Sequence, residues 1–208
     1  MNLLQEHLLL AAAWVLWCAL HSLLIGERWM GWVRRRSRAW VASYRLAYVL
    51  FSTISLAAVL LLQWRTSSPV LWHWPAWLVP LQWGGLLLSA IIFVAAARRY
   101  DQPYFFGIRQ LRDHRAGRAP EETGFVAEGV LRWMRHPYYT AGMLFLAFWG
   151  DITPANLILK IVGIGYFIIG AMLEERKLIT QFGASYLRYR ATVPMFFPNP
   201  FRTPRGGS

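Results

Sequence analysis

The sequence predicts an all-α integral membrane protein with about five transmembrane helices. Two observations lead there. Apolar runs long enough to cross a bilayer recur along the 208 residues, and Lys and Arg gather in alternate segments between them. The 56% hydrophobic fraction, with twelve Trp and twelve Phe, exceeds that of an ordinary soluble domain. Aromatic rings also favour the bilayer interface.

A span needs ~20 mostly apolar residues to cross the hydrocarbon core. The runs fall at about residues 8–25, 44–63, 77–97, 138–149 and 154–173. The run at 138–149 is short, so its helix starts before the bilayer proper or tilts. Asp151-Ile152-Thr153-Pro154 leaves room only for a tight turn before the last run, which makes these two an antiparallel hairpin. Past Glu174, the apolar residues Leu178, Ile179, Phe182 and Tyr186 recur at helical spacing. They predict a cytoplasmic amphipathic helix over about 174–190. The whole reads as a single membrane domain over 1–197, followed by a loose Pro-, Gly- and Arg-rich tail at 198–208.

Orientation follows from Lys and Arg placement. Arg28, Arg34, Arg35, Arg36 and Arg38 lie after the first run. Arg98, Arg99, Arg109, Arg112, Arg115, Arg118, Arg132 and Arg135 lie between the third and fourth, and Arg176, Lys177, Arg188 and Arg190 after the last. Between the second and third runs there is only Arg65. The alternation predicts an outside N-terminus and a cytoplasmic C-terminus, in a bacterial inner membrane. Trp72, Trp74, Trp77 and Trp83 then form an outer interfacial belt.

On a soluble protein the net charge of +12 would suggest nucleic acid. Arginines placed between apolar runs instead indicate topology and the lipid bilayer as partner, including anionic lipid. The single cysteine, Cys18, sits inside an apolar run, which excludes a disulfide scaffold or Cys-rich metal site. His7, His73 and His114 are scattered without metal-ligand spacing, so no metal is expected. No basic n-region precedes a small-residue cleavage site, so no cleavable signal is expected. Gly163 and Gly165, inside the last run, are expected to aid helix packing.

Two polar segments can hold chemistry. Arg135-His136-Pro137-Tyr138-Tyr139 opens the fourth helix. Pro is favoured in the first turn, which puts His136 at about the N-cap. The free N–H groups beyond it make either an anion site, with Arg135 and His136 adding donors, or a basic helix start anchored in lipid headgroups. The second segment is Glu174-Glu175. Acids beside a membrane are costly and mark function. They either pair with the arginines before the fourth helix or grip a cation or a pair of hydroxyls. His21 lies within the first span. It forms a helix-to-helix hydrogen bond with Ser22, Tyr44 or Arg45, or it serves a substrate.

Arg135-His136-Pro137-Tyr138-Tyr139, Glu174-Glu175, Phe182-Gly183, Tyr186, Tyr189 and Val193-Pro194, in that order, resemble a C-terminal signature. It is that of the integral membrane methyltransferase superfamily of isoprenylcysteine carboxyl, phospholipid N- and methanethiol S-methyltransferases. Phe106-Gly107-Ile108-Arg109-Gln110, Leu20-His21-Ser22, Tyr48-Val49-Leu50 and Gln63-Trp64-Arg65 are similar to the methanethiol S-methyltransferase branch.

The resemblance implies S-adenosyl-L-methionine as cofactor, in a cytoplasmic-side pocket formed by the C-terminal half. It places Gln110, Phe125, Val126, Leu131, His136, Pro137, Tyr138, Tyr139, Glu174 and Glu175 at the cofactor. The chain departs from the pattern at Val130-Leu131, where many members carry an aromatic residue. His136 and Arg135 are the catalytic candidates, and His21 is a substrate-side candidate. The implied reaction is S-methylation of a small thiol such as methanethiol. The alternatives are methylation of an isoprenylcysteine carboxylate or lipid amine, and a non-enzymatic scaffold that keeps the fold. No Gly-rich dinucleotide fingerprint is present, so the enzyme is not of the soluble kind.

Overall fold

The computed structural model describes residues 2–36, 38–118 and 127–198. The expected tail beyond 198 and the candidates Phe125 and Val126 lie outside the described residues. The described chain is helical: α1 (Leu3–Ile25), α2 (Glu27–Arg34), α3 (Arg38–Arg65), α4 (Val79–Ala97), α5 (Gln102–Phe105), α6 (Ile108–Arg115), α7 (Pro137–Phe148), α8 (Pro154–Phe182) and α9 (Ala184–Thr192). Its only β pairing among the described residues is an isolated antiparallel bridge between Trp72 and Ile152.

Four stretches are long and apolar enough to cross a membrane: Leu3–Ile25, Ala39–Arg65, Ala76–Ala97 and Pro154–Phe182. Their large side chains point outward, as in Ile54 (70% exposed), Leu87 (62%) and Ile161 (64%). Water would penalise such a surface, and lipid does not. The expected fourth span is a helix, α7, but it has 12 residues. At 1.5 Å per residue that is ~18 Å, short of a ~30 Å hydrocarbon core.

Two compact units share the chain. The first holds α1, α2, α3, α5, α6 and the start of α8. Its core is Leu10, Trp14 and Ala155, with Trp17, Leu56, Val59 and Ile158 packed around them. Polar side chains tie these helices across their apolar surroundings. Trp14 Nε1 donates to Gln63 Oε1 (3.0 Å), Gln63 Nε2 to Asn156 Oδ1 (3.3 Å), and Trp17 Nε1 to Ser55 Oγ (3.1 Å). In an apolar medium a lost partner leaves a polar group with no substitute, so such bonds fix helix register. Gly107, at φ 81°, turns α5 into α6 against α3, where an added Cβ would lie 2.6 Å from the Leu46 backbone nitrogen. Only glycine accepts both the left-handed φ and that approach.

The second unit holds α4, α7, the rest of α8 and α9. Here α7 lies along α4. Ile92, Met134 and Ala141 form the core, and Ser89 Oγ donates to the Ala141 carbonyl (2.8 Å). Gly85 lets the Phe148 ring seat directly on the α4 backbone, since an added Cβ would fall 2.3 Å from the ring. Gly85→Ala is therefore expected to cost about 1–3 kcal/mol by overpacking, read as a lower thermal midpoint in detergent. Gly142 lies against Phe167 and Tyr139 against Gly170. The pairings run in opposite directions along the two helices, so α7 and α8 form the expected antiparallel pair. Gly165, expected to aid packing, has nothing near its would-be Cβ; the close approaches occur at Gly85 and Gly142 instead.

The Trp residues expected at the outer interface divide. Trp77 and Trp83 are 76% and 66% exposed, as lipid anchors are. Trp74 instead donates from Nε1 to the Gly150 carbonyl (3.0 Å) and stacks on Phe148. The expected amphipathic helix after residue 174 is interrupted: α8 runs on to Phe182, Gly183 turns the chain at φ 54°, and α9 follows.

Candidate functional site

The chemistry of the second unit gathers where α7 begins, around Glu174 and Glu175 of α8. Pro137 starts α7 and His136 is its N-cap, as the sequence predicts. The stretch after α9 crosses this helix start. Arg135 N–H donates to the Pro194 carbonyl (3.0 Å) and His136 N–H to that of Met195 (3.1 Å). Thr140 Oγ1 donates to the carbonyls of His136 and Phe196, both at 3.0 Å.

Adjacent residues on a helix point ~100° apart, so the two acids face different surroundings. The Glu175 side chain is 7% exposed and saturated. Arg135 reaches its Oε1 through Nε (2.6 Å) and Nη2 (2.5 Å), and Arg190 Nε lies 3.2 Å from Oε2. Tyr186 Oη also donates to it (3.5 Å). Arg135 Nη1 donates to the Arg190 and Val193 carbonyls. Arg135, expected to help hold a ligand anion, is instead the internal counter-ion of Glu175. Glu175 realises the expected pairing with the arginines before the fourth helix. Four of the five Arg135 N–H donors meet the carboxylate and two carbonyls, and at 9% exposure the guanidinium is largely closed to a ligand.

Glu174 is 43% exposed at its side chain. It lies 3.8 Å from His136 Nδ1. The phenols of Tyr139 and Tyr100 flank its carboxylate, and the Tyr100 ring is 5.0 Å from that of Tyr138. His136 Nε2 sits 3.4 Å from Glu175 Oε1. The carboxylate can only accept, so the ring proton sits on Nε2 and the Nδ1 lone pair faces Glu174.

Burial holds the His136 pKa below the ordinary histidine value, outweighing the pull of the two carboxylates, so the ring is neutral at pH 7. Burial, reinforced by carboxylate and phenol neighbours, raises Tyr100 and Tyr189, and pushes Tyr186 up to about 12. All three phenols are therefore proton donors. With its folded pKa below an unfolded value of ~6.5, His136 adds stability above pH ~6.5 that is lost as pH falls. The thermal midpoint is expected to drop between pH 7.5 and 5.5, and His136→Gln to flatten that dependence.

Leu131, a sequence candidate, offers its backbone: its carbonyl accepts from Tyr189 Oη at 2.6 Å. Gln110 and His21 belong to the first unit. Gln110 Nε2 donates to the Tyr104 carbonyl (2.9 Å), while its Oε1 is buried with no hydrogen bond among the described residues. His21 Nε2 meets Tyr48 Oη at 2.7 Å. That partner is one helical turn along α3 from the expected Tyr44, which instead donates to the Leu24 carbonyl (2.7 Å). Sequence reasoning missed Tyr100 and Arg190. Tyr100 directly follows Arg98-Arg99 at the end of α4. Arg190 falls one turn after Tyr186, a spacing that aims both at one partner.

The family model described as NnrU protein matches residues 9–150. A methanethiol S-methyltransferase of Pseudomonas sp. (strain GM41(2012)) is 31% identical over 196 residues, covering 90% of this chain and 72% of that protein. The chain belongs to the methanethiol S-methyltransferase family. In that family it is similar also to the Mycobacterium tuberculosis methanethiol S-methyltransferase, 33% identical over 76% of this chain and 65% of that protein. Methanethiol S-methyltransferase 2 of Bradyrhizobium diazoefficiens is 31% identical over 77% of this chain and 62% of that protein. No solved structure matches. Coverage of 90% of the chain necessarily includes Arg135 to Glu175, so the family relationship extends over the cluster at the start of α7.

Proposed function

We propose that this methyltransferase uses S-adenosyl-L-methionine to S-methylate a small thiol, methanethiol being the first to test. The observation that carries the cofactor assignment is Glu174. This half-exposed carboxylate faces the lone pair of a neutral histidine between phenol rings. Two acceptors face to face repel, and a donor-rich or cationic group between them relieves the repulsion. An ammonium or a ribose diol fits there, and aromatic faces suit a sulfonium. A ligand carboxylate does not fit Glu174, and Arg135 is already engaged. The thiol assignment rests on the relatives' acceptor.

S-adenosyl-L-methionine, when bound, would supply a methyl group already activated on a sulfonium, for transfer to a thiolate sulfur with S-adenosylhomocysteine as the leaving group. The residues then have three tasks. Glu174 anchors the cationic or hydroxyl groups. Tyr138, Tyr139 and Tyr100 wall the site and restrict water, so that the reactants are held in line. His136 Nδ1, neutral and facing Glu174, accepts a hydrogen bond from the same group that Glu174 anchors; its one lone pair is then engaged, and the methyl acceptor enters as a thiolate whose proton has gone to solvent. The Arg135–Glu175 pair positions His136 by holding its Nε2 proton. By the Lys and Arg distribution, this layer lies on the cytoplasmic side of the bacterial inner membrane, with the N-terminus outside.

The test is calorimetric binding of S-adenosyl-L-methionine to the detergent-purified protein, followed by detection of dimethyl sulfide from methanethiol. Saturable binding with product supports the proposal. Binding without thiol turnover moves the acceptor to an isoprenylcysteine carboxylate or lipid amine. Folded protein that binds no cofactor, in detergent or in lipid, overturns the reading in favour of a scaffold.

A further inference from the structure

The first unit carries a basic aromatic surface that the methyl-transfer site does not use. Helix α2 lies between two stretches apolar enough to span a membrane, one ending at Ile25 and the next starting at Ala39. It therefore sits at a bilayer surface. Val33 is fully buried, so α2 is docked on its unit. Its two Trp side chains face out, with Trp29 39% exposed and Trp32 36%, and Trp40 at the start of α3 is 50% exposed. The rings form a ladder: Trp29 to Trp32 at 5.0 Å and Trp32 to Trp40 at 6.3 Å.

Cations follow directly. Arg34, Arg35 and Arg36 are exposed, no ion pair with a described side chain engages them, and Arg36 Cζ lies 4.4 Å over the Trp32 ring. The contrast with α6 is informative. There Asp101 and Asp113 pair with Arg109 and Arg118, so two of that stretch's four arginines have a carboxylate partner.

We propose that α2 and the start of α3 form a binding surface for anionic phospholipid headgroups. The Trp29, Trp32 and Trp40 rings lie at the acyl boundary, and Arg34, Arg35 and Arg36 meet the phosphates. The physical basis is charge and polarity complementarity. Indole rings favour the headgroup layer, and a guanidinium takes phosphate oxygens in a two-pronged grip. A cluster of uncompensated cations selects acidic over zwitterionic lipid. Arg36 stays stacked on Trp32 and is thereby held at the boundary rather than free in water.

The experiment follows the thermal midpoint of the full chain in dodecyl maltoside as phosphatidylglycerol or phosphatidylcholine is added, with inorganic phosphate as a third probe. The expected result is a saturable rise with phosphatidylglycerol alone. In the R34Q/R35Q/R36Q variant the apparent affinity for phosphatidylglycerol falls roughly a hundredfold, at about fivefold per lost arginine. Equal stabilisation by the two lipids overturns the proposal, as does an unchanged response of the variant. A matching rise with inorganic phosphate also overturns it, because the site would then be a phosphate site and not a lipid surface. Should the variant fail to fold, salt on the wild type decides. The phosphatidylglycerol shift shrinks as ionic strength rises if Arg–phosphate contacts carry it, and persists if they do not.

Discussion

Glu174→Gln is expected to weaken S-adenosyl-L-methionine binding roughly tenfold to a hundredfold while leaving the fold intact. The side chain is 43% exposed, and His136 Nδ1 is 3.8 Å away. Little of the folded state depends on it. The amide keeps the shape and one acceptor oxygen but loses the charge. Hydrogen bonds to charged groups contribute about 1.5–3 kcal/mol, which converts to that loss of affinity. Glu174→Asp keeps the charge on a shorter arm and should recover part of it. Calorimetry gives the affinities and a thermal scan the stability. Wild-type affinity in the Gln variant would reject Glu174 as the anchor, even if methyl transfer itself were confirmed.

The neighbouring residue is expected to behave in the opposite way. Glu175→Gln should lower stability by about 3–5 kcal/mol, the cost of leaving a buried guanidinium without its counter-charge. Arg135 is 9% exposed and reaches Glu175 through two nitrogens, with no solvent to replace the carboxylate. Arg135→Met should be costly for a second reason. The Arg190 and Val193 carbonyls lose their donor, and the stretch that crosses the start of α7 loosens. Because one interaction underlies both losses, R135M/E175Q should cost less than the sum of the single variants by about 1–3 kcal/mol. Strict additivity in thermal or denaturant unfolding would mean that the pair does not act as a unit. Together the adjacent substitutions separate binding from stability: affinity falls without unfolding at 174, and stability falls at 175.

Much of the fold is legible in the amino-acid order because lipid imposes simple rules. A helix that crosses hydrocarbon must be long and apolar, so α1, α3, α4 and α8 announce themselves. Pro137 announces the start of α7 because its ring fits only the first turn. The ordered set from Arg135 to Pro194 points to the chemical family through its resemblance to the superfamily's C-terminal signature.

What the order of residues leaves open is which way each side chain turns and what it meets there. Glu174 and Glu175 are equivalent by composition. The ~100° step of the helix, together with Arg135 and Arg190 arriving from other segments, makes one a buried counter-ion and leaves the other open. Arg135 reads as an anion ligand in one dimension because its carboxylate partner is 40 residues away. His21 meets Tyr48 and not Tyr44, because both lie on one face of α3 and only the packing depth against α1 chooses between them. The length of α7 is likewise visible in sequence, but its lodging against α4 through Gly85 and Phe148 is not. Sequence by itself determined the membrane helices, the family and the residues that can hold charge. The tertiary structure decided which charges neutralise one another and which are left for a ligand, because pairing depends on distances between segments that the linear order does not contain.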